Sequence, residues 1–371
     1  MQGAAAGSSL SFEVGTETGW YYTLQRSTDL STWNHVGSQF ADNASLTWTN
    51  AFDSSAASRF YRLAVDAPNT AIFTNYHGWT NAVSLNNGIV EAIVIPNTGR
   101  LQQFRLLSST VISILLWENS QFYGKAATNT STTDYDNFGG DKAWPSPQSH
   151  WGWPPPRGFD GRTNTVSFTN GIVTLVSTVD TNYNIRVTRN FELLFDKPVM
   201  RVQTIFERVG ASTNVNLGVW IDCQAVASTS SRCYVPVPTN SIFPNGYTTN
   251  GSAQFTGALP TGFTNINGMI SFGVDGSPSR KVGFDSSSLA MVGRTQSLRI
   301  DAPRIPGATY PDGNCSTEVY TTPDYFELEM LGPLADLPVG GQMELVTTYS
   351  LHRRTETTSD AEAKKILSYQ Y

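Results

Sequence analysis

The chain is poor in charge. Only 15% of its 371 residues are Asp, Glu, Lys or Arg, against roughly a quarter in an average soluble protein. The net charge is -6, and the 24 Lys and Arg residues are scattered with no run of five or more. A surface that grips a phosphate backbone needs a basic patch or stripe, so nucleic acid is not expected as a partner. Long apolar runs are missing as well, and nothing approaches the roughly 20 residues that cross a bilayer. Membrane insertion is therefore not expected. The opening "MQGAAAGSSLSFEV" has neither a basic segment nor an apolar one. The low charge and the abundance of Gly, Ser, Thr and Asn suit a secreted or periplasmic monomer whose export signal has been removed.

Cysteine is scarce. Cys223, Cys233 and Cys315 form no CxxC pair and have no His at ligand spacing, which argues against zinc. Cys223 and Cys233 could bridge a loop in an oxidising compartment; three separate buried thiols is the alternative. No metal or other cofactor is implied. Asp134, Asp136 and Asp141 in "DYDNFGGD" offer oxygen ligands for Ca²⁺ but lack the EF-hand spacing and its terminal Glu. A turn built on local side-chain hydrogen bonds is the simpler reading.

Helical periodicity is nearly absent. The exception is "TSDAEAKKILSYQY" near the C-terminus, where Ser359 and Glu362 have capping-box spacing. Elsewhere short alternating runs such as "GIVEAIVIP", "NIRVTRNF", "NVNLGVWID" and "YFELEMLG" are punctuated by Gly, Asn and Pro, which makes the chain all-β. The texture changes near residue 66, where "SRFYRLAV" ends as a strand and "DAPNTAIFTNYHGWTN" reads as a polar linker. Two domains follow from this: 8–66, a small β-sandwich module, and 67–371, a large two-sheet sandwich. No period of about 20 to 50 residues repeats, which disfavours a propeller or solenoid.

Three stretches carry the candidate chemistry. In "NVNLGVWIDCQA", Val215, Leu217, Val219 and Ile221 alternate with Asn216, Gly218, Trp220 and Asp222, so one strand face is apolar and the other could meet a ligand. In "DYFELEMLGPL", Phe326, Leu328 and Met330 share one face and Tyr325, Glu327 and Glu329 the other, the two carboxylates about 7 Å apart. Such proximity raises one pKa if the site is buried, giving a general acid or base; an exposed face paired with Lys or Arg is the alternative. The third stretch, "GGDKAWPSPQSHWGWPPPR" at 139–157, sets Asp141, Lys142, Gln148, His150 and Arg157 among Trp144, Trp151 and Trp153. Its five prolines fix φ and stiffen the loop. Its indoles either stand exposed for a sugar ring or tuck inward as a small core.

These residues resemble the galactose-mutarotase-like superfamily of β-supersandwiches, in particular a bacterial branch with the "NFGGDKAWPSPQ" loop, a late "YPDGNCSTEVYT" and "YFELEMLGPLADLPVGG". The first part, with "WYYTLQRSTDLSTWNHVGS" and "FYRLAV", resembles small fibronectin-like modules of secreted bacterial proteins, with Trp33 and Tyr61 in its core. The mutarotase resemblance implies a binding role for Arg100 in "TGRL" and a base role for Glu329 in the pattern F-x-L-E. Phe138 in "NFGG" and Trp220 in "NLGVW" stand where mutarotases carry their histidines, so ordinary aldose 1-epimerase activity is not implied.

The expectation is a carbohydrate-active protein whose partner is a sugar or polysaccharide. Trp144, Trp151, Trp153 or Trp220 would hold the sugar, Glu329 would act as base, and Asp141, Lys142 or His150 would supply the acid, with Gln148 among the binding groups. Elimination at a uronic acid would draw on Arg100, Lys142, His150, Lys281 and Tyr325. Hydrolysis would pair Glu329 with Asp141 or Asp222. A non-catalytic glycan-binding protein is the alternative. Convergence of Glu329, Asp141 and at least one exposed tryptophan on one concave face would discriminate the enzyme from the alternative, and their placement on opposite sheets would sink it.

Overall fold

Strands dominate, as the alternating runs require. The computed structural model describes residues 2–369 apart from 7–8, 18–19, 42, 52–57, 67–68, 108–114, 128–134, 196, 252–254 and 275–278. Asp134 and the boundary positions 8 and 67 lie outside the described residues. The chain divides into two compact units, Met1–Thr70 and Ala71–Tyr371.

The smaller unit contains two three-stranded antiparallel sheets, one of Gln2–Ala6, Ser9–Gly15 and Ser45–Ala51, the other of Asn34–Phe40, Tyr21–Ser27 and Phe60–Asp66. Phe12, Val14, Tyr22, Leu24, Ala41 and Trp48 form its core. Tyr61 packs on that core, its ring centroid 4.4 Å from that of Phe12. Trp33 does not join it. It sits in the bend before Asn34, donates its indole N–H to the carbonyl of Leu30 and lies under the Arg62 guanidinium at 4.3 Å, while Trp48 fills the core instead.

In the larger unit two ten-stranded antiparallel sheets enclose one apolar core. The first runs, in spatial order, Arg280–Phe284, Thr317–Thr321, Tyr325–Leu331, Asn216–Val226, Asp141–Ser146, Arg100–Leu106, Val90–Ile95, Trp79–Asn86 and Thr70–Tyr76, with the short Ala335–Asp336 beside Asn216–Val226. The stretch read as a polar linker thus carries an edge strand. The second sheet has Val199–Arg208, Gln342–Arg353 and Gln296–Asp301 near its middle. Leu101, Ile221, Leu328 and Met330 of the first sheet meet Phe191, Val202, Phe206 and Leu351 of the second. Successive side chains point to opposite faces. The partners of these core residues are therefore delivered to the outer face of the first sheet.

One helix of more than a single turn, Ser359–Leu367, lies among the described residues and packs Ala363 and Ile366 against Tyr234, Ala290 and Val292. Its N-cap is Thr358, one residue before the expected Ser359: the Thr358 hydroxyl accepts from the Ala361 N–H. The Glu362 carboxylate reaches back to the N–H groups of Thr355 and Glu356, at 3.0 and 2.9 Å. Cys223, Cys233 and Cys315 are all buried free thiols, so the 223–233 bridge is not formed. Cys223 sits in the first sheet and Cys233 in the second. Among the described residues no helix is long and apolar enough to cross a membrane.

Candidate functional site

Register assembles a row of charged side chains across the outer face of the first sheet. Lys142 stands opposite Asp222, Asp222 opposite Glu329, and Glu329 opposite Glu318. Neighbouring strands are about 4.8 Å apart, so three carboxyl groups are crowded side by side. Two lysines offset that crowding. Lys142 Nζ lies 2.7 Å from Asp222 Oδ2, and Lys281 Nζ lies 2.7 Å from Glu318 Oε2 and 2.9 Å from Glu329 Oε2. All five side chains are at most 2% exposed.

Burial dominates the titration of this row. It pushes Asp222 and Glu329 upward against the pull of their lysines, Glu329 well above the ordinary range, and Glu318 up to about 7. Burial works against the charge of Lys142 and Lys281, yet the neighbouring carboxylates outweigh it and raise both. Glu327, diagonal to Asp222, is pushed up to about 8 by burial first and by the Asp222 carboxylate second. With Glu327 included, four carboxyl groups face two ammonium groups, so the cluster keeps protons near neutrality.

A cavity of about 350 Å³ adjoins this cluster. Tyr135, Trp144, Trp153, Trp220, Tyr320 and Tyr325 line it, and Glu327 is the one carboxyl group among its described lining residues. Glu327 Oε1 accepts from Gln224 Nε2 at 3.0 Å. Asn137 also lines the cavity and donates to the Tyr325 hydroxyl at 3.4 Å. The rings brace one another edge to face: Trp144 and Trp220 at 5.3 Å, Trp144 and Trp153 at 6.3 Å, Tyr135 and Trp153 at 4.8 Å. Lys142 and Lys281 lie against the rings of Trp144 and Trp220, at 4.8 and 4.7 Å. The Trp220 indole N–H is buried without a hydrogen-bond partner.

The loop that brings these rings together is clamped by one buried ion pair. Arg100 donates to both Asp160 oxygens at 2.6 and 2.7 Å and to the Gly139 carbonyl at 2.8 Å. Trp144 Nε1 donates to the same Asp160 at 2.9 Å. Gly139 has φ of 83°, and a Cβ there would overlap the Trp117 carbonyl, so this turn requires glycine.

The cavity therefore gathers Trp144, Trp153, Trp220, Tyr325 and Glu327 of the residues named from sequence. Lys142, Asp222, Lys281 and Glu329 share the outer face but line no part of the cavity. Glu329, expected as the base, is engaged by Lys281 instead. Asp141 is on the other face. Strand alternation turns it between the sheets, where its carboxylate pairs with Arg189 and accepts from the Tyr349 hydroxyl at 2.6 Å. The convergence of Asp141 with Glu329 therefore fails, and the acid role assigned to Asp141 with it.

His150 is exposed on the turn Gln148–His150 and is absent from the cavity wall. Gln148 and Trp151 brace the loop rather than the cavity: Gln148 Nε2 donates to the Gly152 carbonyl at 3.0 Å and Trp151 Nε1 to the Pro145 carbonyl at 2.8 Å. Arg100 serves the clamp. Glu318, Tyr320, Gln224, Tyr135, Asn137 and Asp160 escaped the sequence reading. Alternation in "STEVYTT" signals Glu318 and Tyr320, whereas nothing local marks Asp160.

Comparison with solved structures finds the chain similar to a candidate aldose 1-epimerase from Escherichia coli K12, with 13% identity over 73% of this chain and 98% of that one and a TM-score of 0.47. It is also similar to a candidate aldose 1-epimerase from Klebsiella pneumoniae, with 9% identity over 81% and 86% and a TM-score of 0.49. A galactose mutarotase related enzyme from Lactobacillus acidophilus gives 8%, 75%, 98% and 0.45 in the same measures. No protein-family model matches the chain, and no curated protein matches it.

Proposed function

We propose that the cavity receives a sugar ring and that Glu327 is the proton-transferring group of a carbohydrate-active enzyme. The observation that carries this reading is one carboxyl group, Glu327, on the wall of a cavity lined by indole and phenol rings; burial and the Asp222 carboxylate push it up to about 8. Sugar C–H faces lie flat on aromatic rings, and Trp153, which is exposed at the cavity wall, presents such a face. A carboxylic acid whose pKa is about 8 donates a proton at pH 7, as a general acid requires. The Gln224 amide then supports the carboxylate that remains.

Hydrolysis needs a second carboxyl group across the scissile bond, and the described cavity wall offers Glu327 alone. The reading is therefore proton transfer at a sugar carbon or ring oxygen, epimerase-like or by elimination, with Glu327 as the acid and solvent water taking the substrate's proton. Burial and the Glu327 carboxylate hold the Tyr325 phenol protonated, so it does not serve as the base. Low charge fits work outside the cytoplasm, and the smaller unit would act as a fibronectin-like spacer or second binding module.

One observation favours glycan binding without turnover: Asp141 and Glu329 both lie off the cavity. Incubation with a panel of reducing sugars and polysaccharides, followed by anomeric NMR, reducing-end assay and absorbance of unsaturated products, separates the readings. Turnover that disappears in Glu327→Gln supports the enzyme. Retention on a glycan without any product supports the binding protein, and no interaction with any saccharide sinks both.

A further inference from the structure

A second cavity, of about 360 Å³, opens on the same loop. Trp153 lines both cavities, and its side chain is 55% exposed. A ligand that touches both walls at this indole would be a chain of sugars rather than a single ring. Trp151 and Pro154 to Pro156 form part of the second wall, so the stiff segment that places Trp153 also places this site.

The chemistry of the second cavity differs from that of the first. Arg157 and Arg162 line it, and among the described residues neither makes an ion pair. Arg157 Nη2 is buried with no hydrogen-bond partner. Asp180, also on the wall, is saturated by the backbone: it accepts from the N–H of Gly158 at 3.0 Å, of Asn182 at 3.0 Å and of Tyr183 at 2.9 Å. Its oxygens are already engaged by backbone N–H groups, which leaves Arg157, with its buried unpartnered Nη2, and the exposed Arg162 as the side chains on this wall that can take an anion. In a chain whose net charge is -6, this is a local preference and not a bulk one.

We propose that the glycan is acidic, and that Arg157 and Arg162 hold its carboxylate or sulfate group in the second cavity while the neighbouring sugar occupies the first. A guanidinium fork matches the paired oxygens of either anion. The proposal rests on the carbohydrate reading of the first cavity and adds the substrate class to it.

Titration calorimetry of the full chain against oligogalacturonate, a chondroitin sulfate oligosaccharide and a neutral galacto-oligosaccharide tests it. At least one acidic probe is expected to bind about ten-fold or more tighter than the neutral one, and the stronger arm identifies carboxylate or sulfate. In Arg157→Gln/Arg162→Gln the acidic-to-neutral ratio should fall to near one. A wild-type protein that binds the neutral probe as well as the acidic ones, or a double variant that keeps the preference, overturns the proposal and leaves the carbohydrate reading standing. Binding of no saccharide at all removes the carbohydrate reading and this proposal together.

Discussion

Asp141 and Lys142 are adjacent in the chain and face opposite sides of one sheet. Lys142 pairs with Asp222 in the outer row, whereas Asp141 pairs with Arg189 between the sheets. The same strand thus fastens the two layers and supplies the floor beside the cavity.

Asp141→Ala should destabilise the larger unit by about 3–5 kcal/mol, because it leaves the Arg189 guanidinium buried and unpaired. Urea unfolding followed by tryptophan fluorescence measures it. An unchanged midpoint would show that this ion pair contributes nothing to the joint between sheets.

Stability should fall as pH rises between about 4.5 and 8. Glu327, ordinarily near 4.5, is raised to about 8 in the folded chain, and Glu318 to about 7. In that window the unfolded chain has lost these protons and the folded one keeps them, so their contribution is complete below the unfolded pKa and is lost as pH passes the folded one. Thermal melts across the range should show the decline, and Glu327→Gln should flatten it. A profile that rises with pH in both proteins contradicts the assignment.

Two tryptophans of one loop should respond in opposite ways. Trp144 is 4% exposed and Trp153 is 55% exposed. Trp144→Ala should cost about 3–5 kcal/mol, while Trp153→Ala should leave the melting temperature nearly unchanged and weaken glycan retention in affinity electrophoresis. Equal loss of stability in the two variants would mean that Trp153 belongs to the core.

Asp160→Ala removes the partner of both Arg100 and the Trp144 indole. Hydrogen exchange should then accelerate over 139–160 and stay slow in strand Val199–Arg208 of the second sheet. Unchanged protection over 139–160 would show that the loop holds without its clamp.

Alternation explains what sequence could show. It assigned Trp220 and Asp222 to one face, Glu327 and Glu329 likewise, and both assignments hold because a strand's side-chain period is fixed by its backbone. The same alternation in "GGDKAW" sends Asp141 and Lys142 to opposite faces, which is why they cannot serve one site together. Depth along a face is a different matter. Glu327 and Glu329 point the same way, yet Glu329 is engaged by Lys281, 48 residues away in the chain, and Glu327 lines the cavity. The Arg100–Asp160 clamp was invisible for the same reason: it joins residues that no local pattern relates. The helix cap falls one residue earlier than the capping-box spacing implies because Thr358 and Ser359 are both good caps, and it is the Thr358 hydroxyl that accepts from the Ala361 N–H.

The three buried thiols make the molecule its own unfolding sensor. Cys223 reports on the first sheet, Cys233 on the second and Cys315 on the turn that leads into strand Thr317–Thr321, each sealed from bulk reagent while the layers stay closed. Pulsed alkylation with mass readout would therefore time the opening of each layer separately, with no engineered label.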